Sequence, residues 1–229
     1  MKKKINLLLL AVMTVSAVLY VSCKKDVAST DATTAKNDAT IPRAAVPQSA
    51  FNLWSTCNGN PYNISGTNGI CIPVGNCGTD IDAAQQNNGQ NATGLQFNGC
   101  FKGGTSAYSS ASEQAVFLAD NVSQWNGNEM GFVKTLNDNA LKGYLQGGGQ
   151  YITQVISVGD NGYHTFKCQA RSNNVHQVDF YVDGAYKFTL TNNSGSYWNH
   201  FFYFVGTNHW YGGSGNSGQQ IEMYNMTTY

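Results

Sequence analysis

From Leu95 onward the chain runs as short stretches of alternating or continuous apolar residues, each bounded by Gly, Asn or Asp. Alternation with a period of two places successive side chains on opposite faces of a strand. The pattern predicts strands over residues 95–101, 114–119, 130–135, 141–146, 151–158, 163–170, 175–182, 186–191, 200–206 and 220–227. No window of useful length shows the helical period. Gly147-Gly148-Gly149 and Gly212-Gly213 read as turns or bulges. Strands of this length and spacing predict an all-β, antiparallel β-sandwich.

The sharpest local signal is V-D-F-Y-V-D-G-A-Y-K-F-T-L from Val178 to Leu190. Val178, Phe180 and Val182 share one face, and Asp183-Gly184 suits the positive φ angles of a type I′ turn. Together with Y-H-T-F-K-C-Q-A before it, the F-Y-V-D-G run resembles the paired strands of concanavalin A-like lectins and glucanases. The final I-E-M-Y-N-M-T-T-Y fits the closing strand of such jelly rolls, and the resemblance spans about Gln114 to Tyr229. It implies a jelly roll that handles carbohydrate, and it is claimed for the superfamily alone.

The N-terminus is of another kind. Met1 and three lysines precede an apolar run from Ile5 to Val21, the pattern of a secretory signal peptide. The run is marginal against the ~20 apolar residues of a permanent span. L-Y-V-S-C at its end resembles the lipobox of bacterial lipoproteins, with Tyr20 departing from the usual Leu. The resemblance implies cleavage before Cys23 and lipidation of its sulfur, and the S-C-K-K-D continuation is similar to Bacteroidetes lipoproteins. An ordinary signal peptide with a chance cysteine is the alternative. The expected location is the cell envelope, as an outer-membrane lipoprotein on the periplasmic face or cell surface. The membrane is engaged through the anchor alone.

Composition refines the domain limits. Residues 24–50 are rich in Ala, Thr, Asp, Lys and Ser and hold no aromatic residue, so they cannot bury enough apolar surface to offset ordering. The expected organisation is a signal peptide over 1–22, lipidated cysteine and tether over 23–50, and a sandwich over 51–229. Across the whole chain 13 basic residues balance 13 acidic ones. The sandwich itself carries six basic residues against ten acidic and no basic stripe, which excludes nucleic acid as a partner.

With Cys23 assigned to lipid, Cys57, Cys71, Cys77, Cys100 and Cys168 remain. Four fall between Phe51 and Phe101, a Cys-rich opening segment of weak periodicity. An exported compartment permits disulfides, so two bridges are expected there, in any of three connectivities. Cys168 alternates with Phe166 and Ala170 and reads as a small buried hydrophobe. A pairing with His164 is excluded by about 13 Å of strand.

Glycosidases need two carboxyl groups across a cleft, about 5–5.5 Å apart for retention or 6.5–9.5 Å for inversion. The family-16 relatives of this fold carry acidic residues alternating on one strand, E-x-D-x-x-E or a bulge-free variant, and no such run occurs here. Glu129 and Glu222 are the catalytic candidates if the fold brings them together; the alternative is two solvated strand residues. F-V-G-T-N-H-W-Y-G-G resembles the acid/base strand of family 11, yet Asn208 stands where a glutamate is needed. An amide cannot supply that proton.

Aromatic rings beside amides and imidazoles suit sugars, which present apolar C–H faces ringed by hydroxyls. The expected ligand-binding residues are Trp125, Asn126, Trp198, Asn199, Asn208, His209, Trp210 and Tyr211. The structural alternative is that some of these rings close the ends of the core. Asp80 and Asp82 are a weak calcium candidate, and no other cofactor is indicated. The leading expectation is a glycan-binding module. A glycan hydrolase or lyase of the same fold and a structural or adhesion module are the rivals.

Overall fold

The structure is a computed structural model and describes residues 43–56, 59–73, 79–103, 113–121, 127–211 and 219–229. In chain order its strands are β1 (Ala44–Ala45), β2 (Phe51–Ser55), β3 (Tyr62–Asn63), β4 (Ile70–Pro73), β5 (Thr79–Gln86), β6 (Gln90–Ala92), β7 (Gly94–Lys102) and β8 (Glu113–Ala119). They continue as β9 (Glu129–Thr135), β10 (Ala140–Gly147), β11 (Gln150–Val158), β12 (His164–Arg171), β13 (Asn174–Val182), β14 (Ala185–Thr191), β15 (His200–Tyr211) and β16 (Gln220–Thr228). One 3-10 turn, Gln48–Ala50, leads into β2.

Sheet I has the order β14-β13-β12-β7-β16-β4-β3, with β1 also on β16. Sheet II has the order β11-β10-β9-β8-β15-β5-β2, with β6 also on β15. Every pairing is antiparallel. Two hairpin turns follow from local chemistry. Asp183 and Gly184 take φ of 53° and 76°, and Gly148 and Gly149 take 58° and 76°, the left-handed angles of a type I′ turn.

The core lies between the sheets. Leu95, Phe97 and Phe101 of β7, Phe166 of β12 and Phe180 of β13 meet Val116, Leu118, Met130 and Phe132 of sheet II. Phe97 stacks on Phe166 at 4.9 Å, and Phe132 meets Phe180 edge-on at 5.5 Å. Burying each such ring contributes about 1.5–3 kcal/mol.

The opening segment differs from expectation. It supplies β2 and β5 to sheet II and β4 to sheet I, and Ile70 and Ile72 are core residues. Among the described cysteines Cys71, Cys100 and Cys168 are free and buried, so the two expected bridges do not form. Register gives the reason. Cys71 and Cys100 each pair with Glu222, from opposite sides of β16. Two strand spacings separate them by about 10 Å, beyond the reach of a disulfide. Cys57 and Cys77 lie outside the described residues. Burial pushes the Cys168 thiol up to about 12, so it is inert as expected.

The sandwich also begins earlier than Phe51. β1 pairs with Thr227 and Thr228 of β16, and Val46 is part of the core. These residues come from the end of the expected tether. Cys23 and residues 24–42 lie outside the described residues.

Candidate functional site

The two glutamates fall on opposite surfaces of the molecule. On β9, Met130 and Phe132 point into the core, so Glu129, Gly131 and Val133 occupy the outer face of sheet II. On β16, Ile221 and Met223 point inward, so Glu222 occupies the outer face of sheet I. Packed sheets alone are about 10 Å apart. The fold therefore does not bring Glu129 and Glu222 together across one cleft.

Glu222 is held as an anion. It forms an ion pair with Lys102 Nζ at 2.7 Å and accepts hydrogen bonds from Tyr224 Oη at 3.0 Å, Tyr163 Oη and Gln220 Nε2. Burial would raise its pKa, but these donors outweigh that and bring it down to about 2. A carboxylate so saturated is a structural hub and a poor proton donor.

Glu129 has the opposite character. It is 4% exposed and accepts one hydrogen bond, from Tyr144 Oη at 3.3 Å, and its Oε1 has no partner among the described residues. Burial pushes it up to about 8, further raised by the charges of Asp120 and Glu113. It is a neutral acid at physiological pH. Asp120 follows Ala119, the register partner of Glu129. Asp120 accepts from Asn128 N and Nδ2, both at 2.8 Å, and lies 2.9 Å from His200 Nε2.

Around Glu129 the outer face of sheet II is aromatic. Phe117, Val133, Tyr144 and Val205 form a second apolar cluster with Ala115 and Ala119, and Tyr203 packs against it. The rings of Tyr144 and Tyr151 lie 5.5 Å apart, and those of Phe201 and Tyr203 likewise 5.5 Å. Tyr151 and Phe201 are each 48% exposed. Trp54, half-buried, pairs with Ala83 and so joins this face at the far side. Gln146, the partner of Glu129 on β10, and Thr153 on β11 add polar groups. Glu113, also on this face, stands six residues along β8 from Ala119, about 20 Å at strand rise. Its charge nonetheless acts on Glu129, whose pKa it helps to raise.

The loop residues expected to bind ligand divide differently. Trp198 packs against the main core and Tyr197 beside it is fully buried, so Trp198 helps close the core. Asn199 is exposed, with φ of 48°. Asn208 is fully buried on the inner face of β15 and donates to Ile72 O at 3.3 Å, which removes it from any surface site. Trp125 and Asn126 lie outside the described residues. Of Asp80, His209, Trp210 and Tyr211 only the backbone register is described: Trp210 pairs with Asp80, Tyr211 with Thr79, and His209 with Ile81 and Glu113. Asp82 is fully buried.

The sequence reading missed Trp54, Tyr144, Tyr151, Phe201 and Tyr203. Alternation within β10, β11 and β15 marks which of them share a face, but sequence alone does not say which face is outward. Among the described histidines, His164 meets Asp183 at 2.6 Å and Asp160 at 3.1 Å, and His176 meets Gly195 O at 2.5 Å.

No family model and no curated protein matches the chain. Solved structures do. The beta-glucanase of Bacillus licheniformis superposes with a TM-score of 0.55 at 13% identity, covering 83% of this chain and 98% of that one. A structure described as a native glycosidic hydrolase gives 0.57 at 11% identity, covering 82% and 95%. A prokaryotic beta-1,3-1,4-glucanase (lichenase) from a mouse hindgut metagenome gives 0.55 at 7% identity, covering 82% and 99%. The chain thus has the concanavalin A-like jelly-roll fold of these glucanases.

Proposed function

We propose that the chain binds a polysaccharide on the outer face of sheet II, carried outside the cytoplasm on a lipidated Cys23. The observation that carries this reading is the composition of β9 and its neighbours. Glu129, Gly131 and Val133 alternate on that face, so a strand position suited to several carboxyl groups holds one. Around it lie Tyr144, Tyr151, Tyr203 and Phe201 with Gln146, the aromatic and amide surface that sugar faces and hydroxyls require. A neutral Glu129 donates a hydrogen bond to a sugar hydroxyl without the cost of burying a charge. The glucanases that share the fold support carbohydrate as the ligand class.

A second reading, glycan hydrolysis, draws on the same residue. Glu129 is protonated at neutral pH, the state a general acid needs, and Asp120 beyond Ala119 is the available second carboxyl group. The glucanase neighbours favour this reading, and the missing acidic alternation on β9 opposes it.

One experiment separates the two. The purified protein is assayed for retention on a panel of β-glucans and other polysaccharides, and each retained polymer is analysed for new reducing ends. Retention without new ends supports binding alone. New ends that vanish in Glu129→Gln establish the hydrolase. Retention of no polymer overturns both.

A further inference from the structure

Lys134 is a potential nucleophile sealed inside the sandwich. Its register partners on β8 and β10, Gln114 and Leu141, place it on the inner face of sheet II. It is 0% exposed. Its side chain reaches the end of the sandwich, where the loop from β11 to β12 carries the chain from sheet II to sheet I. The three protons of Nζ serve Phe101 O at 3.0 Å, Asp160 O at 2.6 Å and Asn161 Oδ1 at 2.6 Å. All three are uncharged oxygens, which repay the desolvation of an ammonium poorly. Burial accordingly brings the Lys134 pKa down to about 8, although the charge of Asp160 works to hold it up. About one molecule in ten then carries a free amine at pH 7, and a desolvated amine is an activated nucleophile.

The Asn161 carboxamide is presented to that amine. Its Oδ1 accepts from Nζ at 2.6 Å and from Gly103 N at 3.1 Å. With a C=O bond of about 1.23 Å, Nζ lies within about 3.8 Å of Cγ, against roughly 3–3.5 Å for reacting atoms poised to bond. The Gly103 N–H points at the oxygen on which negative charge develops when the carbonyl is attacked. The loop around Asn161 is fastened on both sides. Gly159 N donates to Asn139 O at 2.8 Å, Gly162 N donates to Asp160 Oδ1 at 2.8 Å, and His164 Nε2 lies 3.1 Å from Asp160 Oδ2. Amine and carboxamide are thus held together by the fold, an arrangement worth effective molarities of about 10⁵–10⁸ M.

We infer that Lys134 and Asn161 join in an isopeptide bond, a covalent staple between β9 and the loop that leads into sheet I. The uncharged Nζ attacks Cγ, the Nζ–Cγ bond forms, and the carbonyl electron pair moves onto Oδ1 beside the Gly103 N–H. As that pair returns, the Cγ–Nδ2 bond breaks. One proton passes from Nζ to Nδ2, and ammonia leaves. Asn161 is exposed, so water can relay the proton and carry the ammonia away. The product is a neutral secondary amide in place of a buried ammonium, which removes the penalty of the buried charge. It closes the chain between residues 134 and 161 covalently, a role that the free Cys71, Cys100 and Cys168 do not fill. The staple is internal and stands or falls independently of glycan binding on the outer face.

The test is peptide mapping of the purified protein. It is denatured and digested with trypsin, and the peptides are sequenced by tandem mass spectrometry. A second sample is first kept folded for a week at pH 9, above the Lys134 pKa of about 8. The expected result is a branched peptide joining Lys134 to Asn161, lighter than the two linear peptides together by one ammonia. Lys134→Arg and Asn161→Ala are each expected to abolish it; should neither variant fold, the wild-type digest decides alone. Linear peptides alone in both samples, with cleavage after Lys134, overturn the proposal. So does conversion of Asn161 to aspartate without a branched peptide, since water rather than the amine has then taken the carboxamide.

Discussion

Two glutamates on one small sandwich show how far surroundings decide what a carboxyl group does. Glu222 has a folded pKa near 2, below its ordinary value. Its stabilising contribution is present above the unfolded value of about 4.5 and is lost as pH falls from there toward 2. Glu222→Gln leaves Lys102 without its anion, so a loss of about 1–2 kcal/mol at pH 7 is expected from denaturant unfolding, shrinking below pH 4. Glu129 is shifted the other way, to about 8. Between about pH 4.5 and 8 the unfolded state releases a proton that the folded state keeps, so stability falls with rising pH. Glu129→Gln is expected to remove a slope of about 1.4 kcal/mol per pH unit across that window, measurable as unfolding midpoints at pH 5, 6 and 7. An unchanged slope would place Glu129 in water. Both residues stood out in the sequence, but their roles did not. Lys102 and Tyr163, which define Glu222, lie 120 and 59 residues from it.

At the scale of strands, period and turn chemistry carried most of what was legible. The ten strands expected after Leu95 all occur, and the Asp183-Gly184 turn has the expected left-handed angles. β2, β4 and β5 escaped because T-D-I-D-A-A-Q-Q and I-C-I-P mix short apolar runs with residues that read as turns or cysteine staples. β5 is held by β15 and β4 by β16, 120 residues or more away, and β2 is held in turn by β5. Long β15, His200–Tyr211, is the element that joins β8 to β5. Close approach between the sheets also depends on a residue that no pattern marks. A Cβ at Gly143 of β10 would lie 2.6 Å from Cδ1 of the Phe180 ring on β13. Gly143→Ala is expected to cost about 1–3 kcal/mol through overpacking, read as a lower denaturant midpoint with unchanged slope.

For the whole molecule, the sandwich was legible because the ten strands from Leu95 onward read as short apolar or alternating runs between turn residues. The binding face was not, because the rings that build it come from β2, β10, β11 and β15 and are interleaved with core residues. The sequence drew attention to aromatics near loops, yet Trp198 closes the core and Asn208 is buried inside it. The anchoring proposed for Cys23 belongs to this scale as well. Cys23→Ala is expected to move the protein from the membrane fraction to the soluble fraction of its native host, since the apolar chains on that sulfur would be its attachment. A membrane-bound variant would show attachment by another route.

The central claim, that glycan lies on the outer face of sheet II, is tested most directly by comparing polysaccharide affinity after removing one exposed ring from each sheet. Tyr151 on β11 and Tyr186 on β14 are 48% and 55% exposed, so each can be cut to alanine with little effect on the core. Affinity electrophoresis of both variants is expected to show roughly tenfold weaker retention for Tyr151→Ala and wild-type retention for Tyr186→Ala. The reverse order, or equal retention by all three proteins, would contradict the assignment of the binding face.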